Sequence, residues 1–245
     1  GQNDGASTSY EVVSTSLPAE EIYAGIGTSN DLVLTNAAIN NLAGDDNKIS
    51  YHLPAMGGLT AGVSFQNSGA AGSTDTTEFG AQYAMEAGGA AITLGYASAT
   101  KEASSQDTDS TAIGVKVVSG NITAAVSQST FEKAATAAVA GTASSTTAAR
   151  VAPIDAVDKA DEESIGAAVS FKVNDGMTIT VHTAETDDGQ TTESYSNSGV
   201  EIAYTVAPGL SAYLNVEDYD YKKGTSSSNT DNAGTASKLT IKASF

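Results

Sequence analysis

The sequence predicts an all-β protein, a transmembrane antiparallel up-and-down β-barrel. Three observations support this fold class. Apolar residues take every second position in eleven stretches between residues 47 and 245, which is the period of strands with two unlike faces. The connections between these stretches alternate between tight turns and long polar loops. No apolar run approaches the roughly 18 residues of a membrane helix, but a membrane barrel carries its signal in alternation instead.

The eleven predicted strands have about eight to thirteen residues each, and about 9 to 11 tilted residues cross the hydrocarbon of a bilayer. In chain order they are residues 47–54, 58–66, 76–85, 90–99, 109–118, 121–131, 162–173, 176–186, 196–206, 209–221 and 235–245. Short turns such as AGG and SG follow alternate strands, and residues 132–161 form the longest loop. Strands with turns at one end and loops at the other are typical of an up-and-down barrel.

The two faces of these strands differ in charge. No residue of the apolar register is charged. The charges within the strands occupy the opposite register, as do both histidines: Lys48, Glu78, Lys116, Lys172, Glu201, Glu217, Lys238 and Lys242, with His52 and His182. A charge that faces the bilayer midplane costs a barrel about 2–4 kcal/mol. The separation therefore indicates lipid outside and water inside.

Composition excludes several classes of protein. The chain has 11 Lys plus Arg and 29 Asp plus Glu, a formal charge of −18. Nucleic acid is excluded as a partner because phosphate binding needs basic patches. The absence of cysteine excludes disulfide scaffolds and thiolate metal sites.

The start GQNDGAST has no Met and no signal-peptide pattern, so we expect that a signal peptide was removed or that the sequence begins partway through a longer chain.

Other β folds and an enzyme are alternatives to the membrane barrel. A soluble can of the fluorescent-protein type needs a Tyr-Gly step, and no Tyr here precedes Gly. A soluble β-sandwich or a surface adhesin without a pore stays open as the alternative. A hydrolase is disfavoured because there are two His and no GxSxG motif. We therefore predict no catalytic residues and no enzyme.

Several motifs resemble the trimeric general porins of Gram-negative outer membranes, especially those of alphaproteobacteria. They are GQNDGAST at the start, GDDNKISYHLP leading into MGGLTAGVSF, and a last strand that ends on Phe245. The resemblance spans the whole chain. It implies an outer-membrane channel for the passive diffusion of ions and small hydrophilic solutes, a homotrimer, and contact with the lipid bilayer and lipopolysaccharide.

The resemblance also implies a domain organisation. Residues 1–46 correspond to the constriction loop that folds into the barrel, and residues 47–245 form eleven transmembrane strands with short periplasmic turns and long extracellular loops. Eleven antiparallel strands cannot close a barrel, so we expect this to be the C-terminal portion of a sixteen-stranded porin. The alternative is that further strands lie within residues 8–28.

The polar face then supplies the predicted site. The predicted basic wall of the pore comprises Lys48, Lys116, Lys172, Lys238, Lys242, His52 and His182. The predicted acids of the constriction loop are Asp4, Glu11, Glu20, Glu21, Asp31, Asp45 and Asp46. Facing each other across water, the two sets would create a transverse field that selects solutes by charge and width. Phe245 is the expected C-terminal assembly signal. We expect no cofactor, although the acidic stretches DTDS, DDG and EDYDYK are candidates for loop-bound Ca²⁺.

Overall fold

The computed structural model describes residue 6 and residues 48–67, 75–102, 107–132, 161–188, 194–222 and 232–244. Within these ranges the chain forms eleven strands. They are β1 (Lys48–His52), β2 (Leu59–Gln66), β3 (Thr76–Ala87), β4 (Ala90–Lys101), β5 (Thr108–Ser119), β6 (Ile122–Glu132), β7 (Asp161–Asn174), β8 (Met177–Asp188), β9 (Ser194–Ala207), β10 (Leu210–Lys222) and β11 (Asn232–Ala243). The all-β prediction is confirmed, and each strand begins and ends within a few residues of its predicted range.

In the same ranges, no helix has the length and apolar character needed to cross a membrane.

The strands form a single sheet in the order β1 to β11, and each pairs antiparallel with its neighbour in sequence. The predicted up-and-down order is thus confirmed. Among the described residues β1 and β11 form the two edges and do not pair with each other. The open sheet agrees with its odd strand number, because closing it would place two parallel strands side by side.

Tight turns and longer connections alternate around the sheet, as predicted. At one edge, which we call the turn edge, β3 and β4 are joined by Gly88 and Gly89 with φ of 58° and 78°. Positive φ at both central residues is the conformation of a type I′ hairpin, and glycine adopts it without steric cost. The opposite edge, the loop edge, carries the connections 67–75, 102–107, 133–160, 189–193 and 223–231, whereas the β1–β2 connection at the turn edge has six residues, 53–58.

The apolar register forms an exposed outer face. Its exposed large side chains include Ile49, Tyr51, Val63, Phe65, Phe79, Tyr83, Leu94, Tyr96, Ile113, Ile122, Val126, Ile165, Val169, Phe171, Val181, Val200, Tyr204, Leu214, Val216, Leu239 and Ile241. A continuous apolar surface of this kind is rare on a soluble monomer and marks a contact with lipid or protein.

The opposite register forms an enclosed inner face, which is polar. Its buried polar residues are Ser64, Gln66, Thr76, Glu78, Ser110, Ser127, Ser129, Glu162, Ser164, Thr180, His182, Thr186, Asn197, Glu201, Asn215 and Glu217. Soluble domains bury apolar residues and expose polar ones. The sheet does the reverse, which agrees with lipid outside and water inside.

The outer face changes character towards the loop edge. On β8 the outward residues Ile179 and Val181 are followed by Thr183, Glu185 and Asp187, because alternate residues share a face. Outward acids occupy the same level on neighbouring strands: Asp109 on β5, Glu163 on β7, and Asp218 and Asp220 on β10. The prediction that all charges within the strands occupy the polar register is therefore wrong near the loop edge. The strands are therefore longer than the apolar band. Four outward positions take about eight residues of about 3.3 Å each, and at a tilt of about 40° they give the band a height of about 20 Å, compared with about 25 Å in known barrels.

Replacement of Val169 by Lys tests the outward orientation. Val169 is 51% exposed at the middle of β7. We expect Val169→Lys to destabilise the full-length protein in lipid vesicles by about 2–4 kcal/mol, because the ammonium group would lie near the bilayer midplane. Reversible unfolding in denaturant measures this change.

The matched control is Ser196→Lys, which places the same charge on the outer face of β9 opposite Glu185 and Asp220. Near the interface a lysine costs about 0–1 kcal/mol. Equal destabilisation by the two variants would contradict the lipid-facing assignment.

Candidate functional site

The seven predicted wall residues all lie on the inner face, but they do not form one cluster. Cross-strand partners establish their face: Lys116 lies opposite Thr93, Lys238 opposite Asn215, and Lys242 opposite Ser211. The seven are distributed over five strands: Lys48 and His52 on β1, Lys116 on β5, Lys172 on β7, His182 on β8, and Lys238 and Lys242 on β11. Their role in lining a pore stays a prediction.

The predicted loop acids and assembly signal cannot be positioned in the same way. Asp4, Glu11, Glu20, Glu21, Asp31, Asp45, Asp46 and Phe245 lie outside the described residues. Their predicted roles are therefore unchanged.

The inner face also carries acids that the predicted basic wall omitted. They are Glu78 on β3, Glu162 on β7, Glu201 on β9 and Glu217 on β10, and all four are buried. Lys101 at the end of β4 is a further inner cation, since it lies opposite Thr76. The alternating pattern was sufficient to find these residues, because each occupies the polar register. The wall is thus mixed in charge.

Lys48 and Glu78 form a buried pair on this wall. Lys48 Nζ lies 3.6 Å from Glu78 Oε2, and the exposed fractions of the two side chains are 7% and 1%. Because the two strands that carry them flank β2, the pair spans that strand. Removal of one partner from a buried pair leaves the other charge uncompensated, so the two residues are expected to depend on each other.

A second pair on the same face spans β9, near the β11 edge of the sheet. His182 Nε2 lies 3.5 Å from Glu217 Oε1, and both side chains are buried. Gly199 lies between them in the same row, opposite His182 on one side and Glu217 on the other. A Cβ at Gly199 would lie 2.6 Å from the Val216 carbonyl oxygen, 2.7 Å from Glu217 Cγ and 2.9 Å from His182 Cε1. The missing side chain therefore allows the histidine and the glutamate to meet over the strand.

Aromatic residues occupy the inner face nearer the loop edge. Tyr195 and Tyr221 are fully buried, pack with Ala184, and have Tyr219 beside them. Thr186 lies opposite Tyr195 in the same row. This cluster lies on the inner face of β8, β9 and β10, at the level of the outward acids.

At the turn edge, Lys172 is more exposed and pairs with a carboxylate in the turn. Its Nζ lies 2.9 Å from Asp175 Oδ1, and 52% of the lysine side chain is exposed. The hydrogen bond from Lys172, followed by its Coulomb attraction, lowers the pKa of Asp175 from the ordinary value of 3.8. Water screens a pair this exposed, so its effect on stability is small.

Among the residues that the structure describes, no three His, Cys, Asp or Glu side chains converge on a point that could hold a metal ion. In EDYDYK, strand alternation separates the acids, since Glu217 points inwards and Asp218 and Asp220 point outwards. Loop-bound Ca²⁺ stays a prediction.

Comparison with known proteins gives a consistent result. The sequence profile of a family described as Gram-negative porin matches residues 1–224. Curated protein sequences gave no match. Two solved structures share the fold. The anion-selective porin from Comamonas acidovorans is 16% identical, with a TM-score of 0.50 over 80% of this chain and 57% of that chain. OccAB4 from Acinetobacter baumannii is 14% identical, with a TM-score of 0.58 over 80% of this chain and 52% of that chain. The chain thus spans little more than half the length of either.

Gly199→Ala tests the packing of the His182–Glu217 pair. We expect this variant to destabilise the protein by about 1–3 kcal/mol, because the added methyl group meets a backbone carbonyl that cannot move aside easily. Denaturant unfolding in lipid vesicles measures the loss.

Gly234→Ala is the control for this substitution. It also adds a methyl group to the inner face, but its tightest contact is the Tyr219 hydroxyl at 3.0 Å, which can move by a small ring rotation. If Gly234→Ala destabilises as much as Gly199→Ala, the close approach at Gly199 has no special role.

Lys172→Met tests the electrostatics of the turn edge. We expect the pKa of Asp175 to rise towards 3.8, because Lys172 is the cause of its lowering. Since the folded-state pKa lies below the unfolded value, the pair contributes stability above the unfolded pKa and loses it as the pH falls through the folded pKa. An NMR titration of the Asp175 carboxyl in detergent micelles measures the shift. Lys242→Met should leave the pKa of Asp175 unchanged. An unchanged pKa in Lys172→Met would contradict the pairing of Lys172 with Asp175.

Proposed function

The chain belongs to the family of Gram-negative porins, and from this premise we propose that it forms the wall of an outer-membrane channel for the passive diffusion of ions and small hydrophilic solutes. One observation carries the proposal. Across eleven consecutive strands the apolar register is exposed and the polar register is enclosed. Lipid on one side and water on the other are the two solvents that such a sheet needs. Family and fold favour a channel over an enzyme.

Selectivity in such a channel would come from width and from the charges of the wall. Lys116, Lys238 and Lys242 supply positive charge, and Glu162 and Glu201 supply negative charge. The proposed wall therefore attracts and orients polar solutes without a dedicated binding pocket.

We also propose that residues 1–46 form the constriction loop inside this channel, with their acids facing the wall lysines. A contact at residue 6 supports this part of the proposal. Ala6 is completely buried, and its backbone nitrogen lies 3.0 Å from Ser64 Oγ on the inner face of β2. Residue 6 thus lies on the side of the sheet where water is proposed.

The remaining parts of the proposal concern assembly. An open sheet of eleven antiparallel strands needs further strands to close, and sixteen in total is the number that the resemblance to general porins implies. The homotrimer and the contact with lipopolysaccharide also rest on that resemblance. A soluble β-sandwich is not favoured, because a sandwich buries the apolar faces of its sheets, whereas this sheet exposes its apolar face.

Single-channel recording tests the function. The full-length protein, purified from outer membranes, is added to a planar lipid bilayer in KCl. We expect stepwise conductance increases, and we expect Lys116→Glu to shift the reversal potential in a KCl gradient towards cations. Charges about 8 Å apart in water interact by about 0.5 kcal/mol, so charge reversal changes an ion's energy by about 1 kcal/mol, up to about fivefold in permeability ratio.

Lys222→Glu is the matched control. Lys222 lies on the outer face near the loop edge, where it is paired with Asp220 at 3.5 Å, and the same charge reversal there should leave ion selectivity unchanged. Folded, membrane-inserted protein without conductance would overturn the channel. Equal shifts in both variants would show that overall charge, not the inner wall, sets selectivity.

A further inference from the structure

Three contacts connect Ala6 to the inner wall at β1, β2 and β3. The Ala6 backbone nitrogen lies 3.0 Å from Ser64 Oγ. Ser64 Oγ lies 2.5 Å from Glu78 Oε2. Lys48 Nζ lies 3.6 Å from the same carboxylate oxygen. Ala6, Ser64 and Glu78 are at most 1% exposed, so the chain of contacts is shielded from water.

The chemistry of the groups fixes the direction of these hydrogen bonds. A backbone N–H can only donate, and an ionised carboxylate can only accept. Ser64 has one hydroxyl hydrogen, which it donates to Glu78 next to the Lys48 ammonium group. Its oxygen lone pairs then accept the Ala6 N–H. The N–H donates, the carboxylate accepts, and the serine hydroxyl does both. Adjacent hydrogen bonds in a low-dielectric environment strengthen each other.

The sheet register makes the arrangement possible. Ser64 lies opposite Glu78 on β3 and opposite Ser50 on β1. The carboxylate therefore reaches the hydroxyl directly across one strand pair and meets Lys48 over β2. A buried backbone N–H needs an acceptor, and Ser64 supplies it to a residue 58 positions away in sequence.

We propose that Ser64 and Glu78 anchor the chain at Ala6 to the inner wall, with Lys48 holding the glutamate in place. The three are positioning residues: they fix the position of residue 6 against the wall. The inference deepens the proposed function, on which its consequence for conductance rests. In the proposed channel, an anchor at this point holds the constriction against β1 to β3 and keeps the open pore narrow and steady.

The test is hydrogen exchange at the Ala6 amide, since this N–H is the donor itself. Ser64→Thr keeps the hydroxyl, and Ser64→Val has nearly the same shape without it. In the full-length protein in lipid vesicles we expect the Ala6 amide to be protected, with protection retained in Ser64→Thr and lowered about tenfold or more in Ser64→Val, as loss of one buried hydrogen bond implies. Glu78→Gln should also lower the protection of the Ala6 amide, because the neutral side chain no longer forms an ion pair with Lys48.

Ser129→Ala is the control, because Ser129 is a buried inner-face serine on β6. It should leave exchange at Ala6 unchanged. Exchange of the β2 and β3 amides in the same samples shows that each variant is folded. Equal protection of Ala6 in Ser64→Val and Ser64→Thr would overturn the anchor.

Conductance separates the anchor from the function on which it rests. In planar bilayers Ser64→Val channels are expected to be wider or noisier than Ser64→Thr channels. If exchange changes as expected but no variant conducts, the anchor stands and the channel function fails. If all variants conduct identically although exchange at Ala6 changes, the anchor does not position the constriction.

Discussion

A strand in hydrocarbon has to hydrogen-bond its whole backbone to neighbouring strands, because lipid offers no donor or acceptor. This constraint explains the simplicity of the topology. Strands that pair only with their neighbours in sequence need short reversals at one edge and leave the other edge free for long connections, and β2 to β10 all have partners on both sides. The same constraint applies to β1 and β11, whose backbones also need hydrogen-bonding partners. Among the described residues each has a partner on one side only, and a sheet of this kind reaches a stable state in lipid only when both edges are paired.

The same constraint makes the two faces unlike, and the inner face then has to accommodate charge. It does so by pairing Lys48 with Glu78 across β2, and His182 lies against Glu217 across β9 in a similar arrangement. Small residues beneath each pair make this possible: Ser64 below the first and Gly199 below the second. A buried charge without its partner is costly, so the Lys48–Glu78 pair favours the observed register of β1, β2 and β3.

Three patterns together were enough to predict the strands, their order and their faces: the two-residue alternation, the sequence of short turns and long loops, and the charges that occupy the polar register. These patterns could not identify which inner-face side chains contact each other. His182 and Glu217 lie 35 positions apart, and their contact depends on the register of β8, β9 and β10 together. The outward acids, such as Glu185 and Asp218, escaped prediction for another reason. The strands continue beyond the apolar band, and there the rule that excludes outward charge no longer applies.

The pairs also determine where charge can act on a solute. Lys48 faces a carboxylate at the loop-edge end of β1, so at a distance the two nearly cancel. Lys116 and Lys242 lie closer to the turn edge, opposite Thr93 and Ser211 instead of acids. A solute that enters the proposed channel from the loop edge therefore first passes the Lys48–Glu78 pair and the tyrosine cluster, whose polar groups can hydrogen-bond to it. It meets Lys116 and Lys242 only later, although Lys101 already adds positive charge at the loop edge. The charge of Lys48 near the anchor is thus compensated by Glu78, whereas Lys116 and Lys242 carry the positive charge of the wall towards the turn edge.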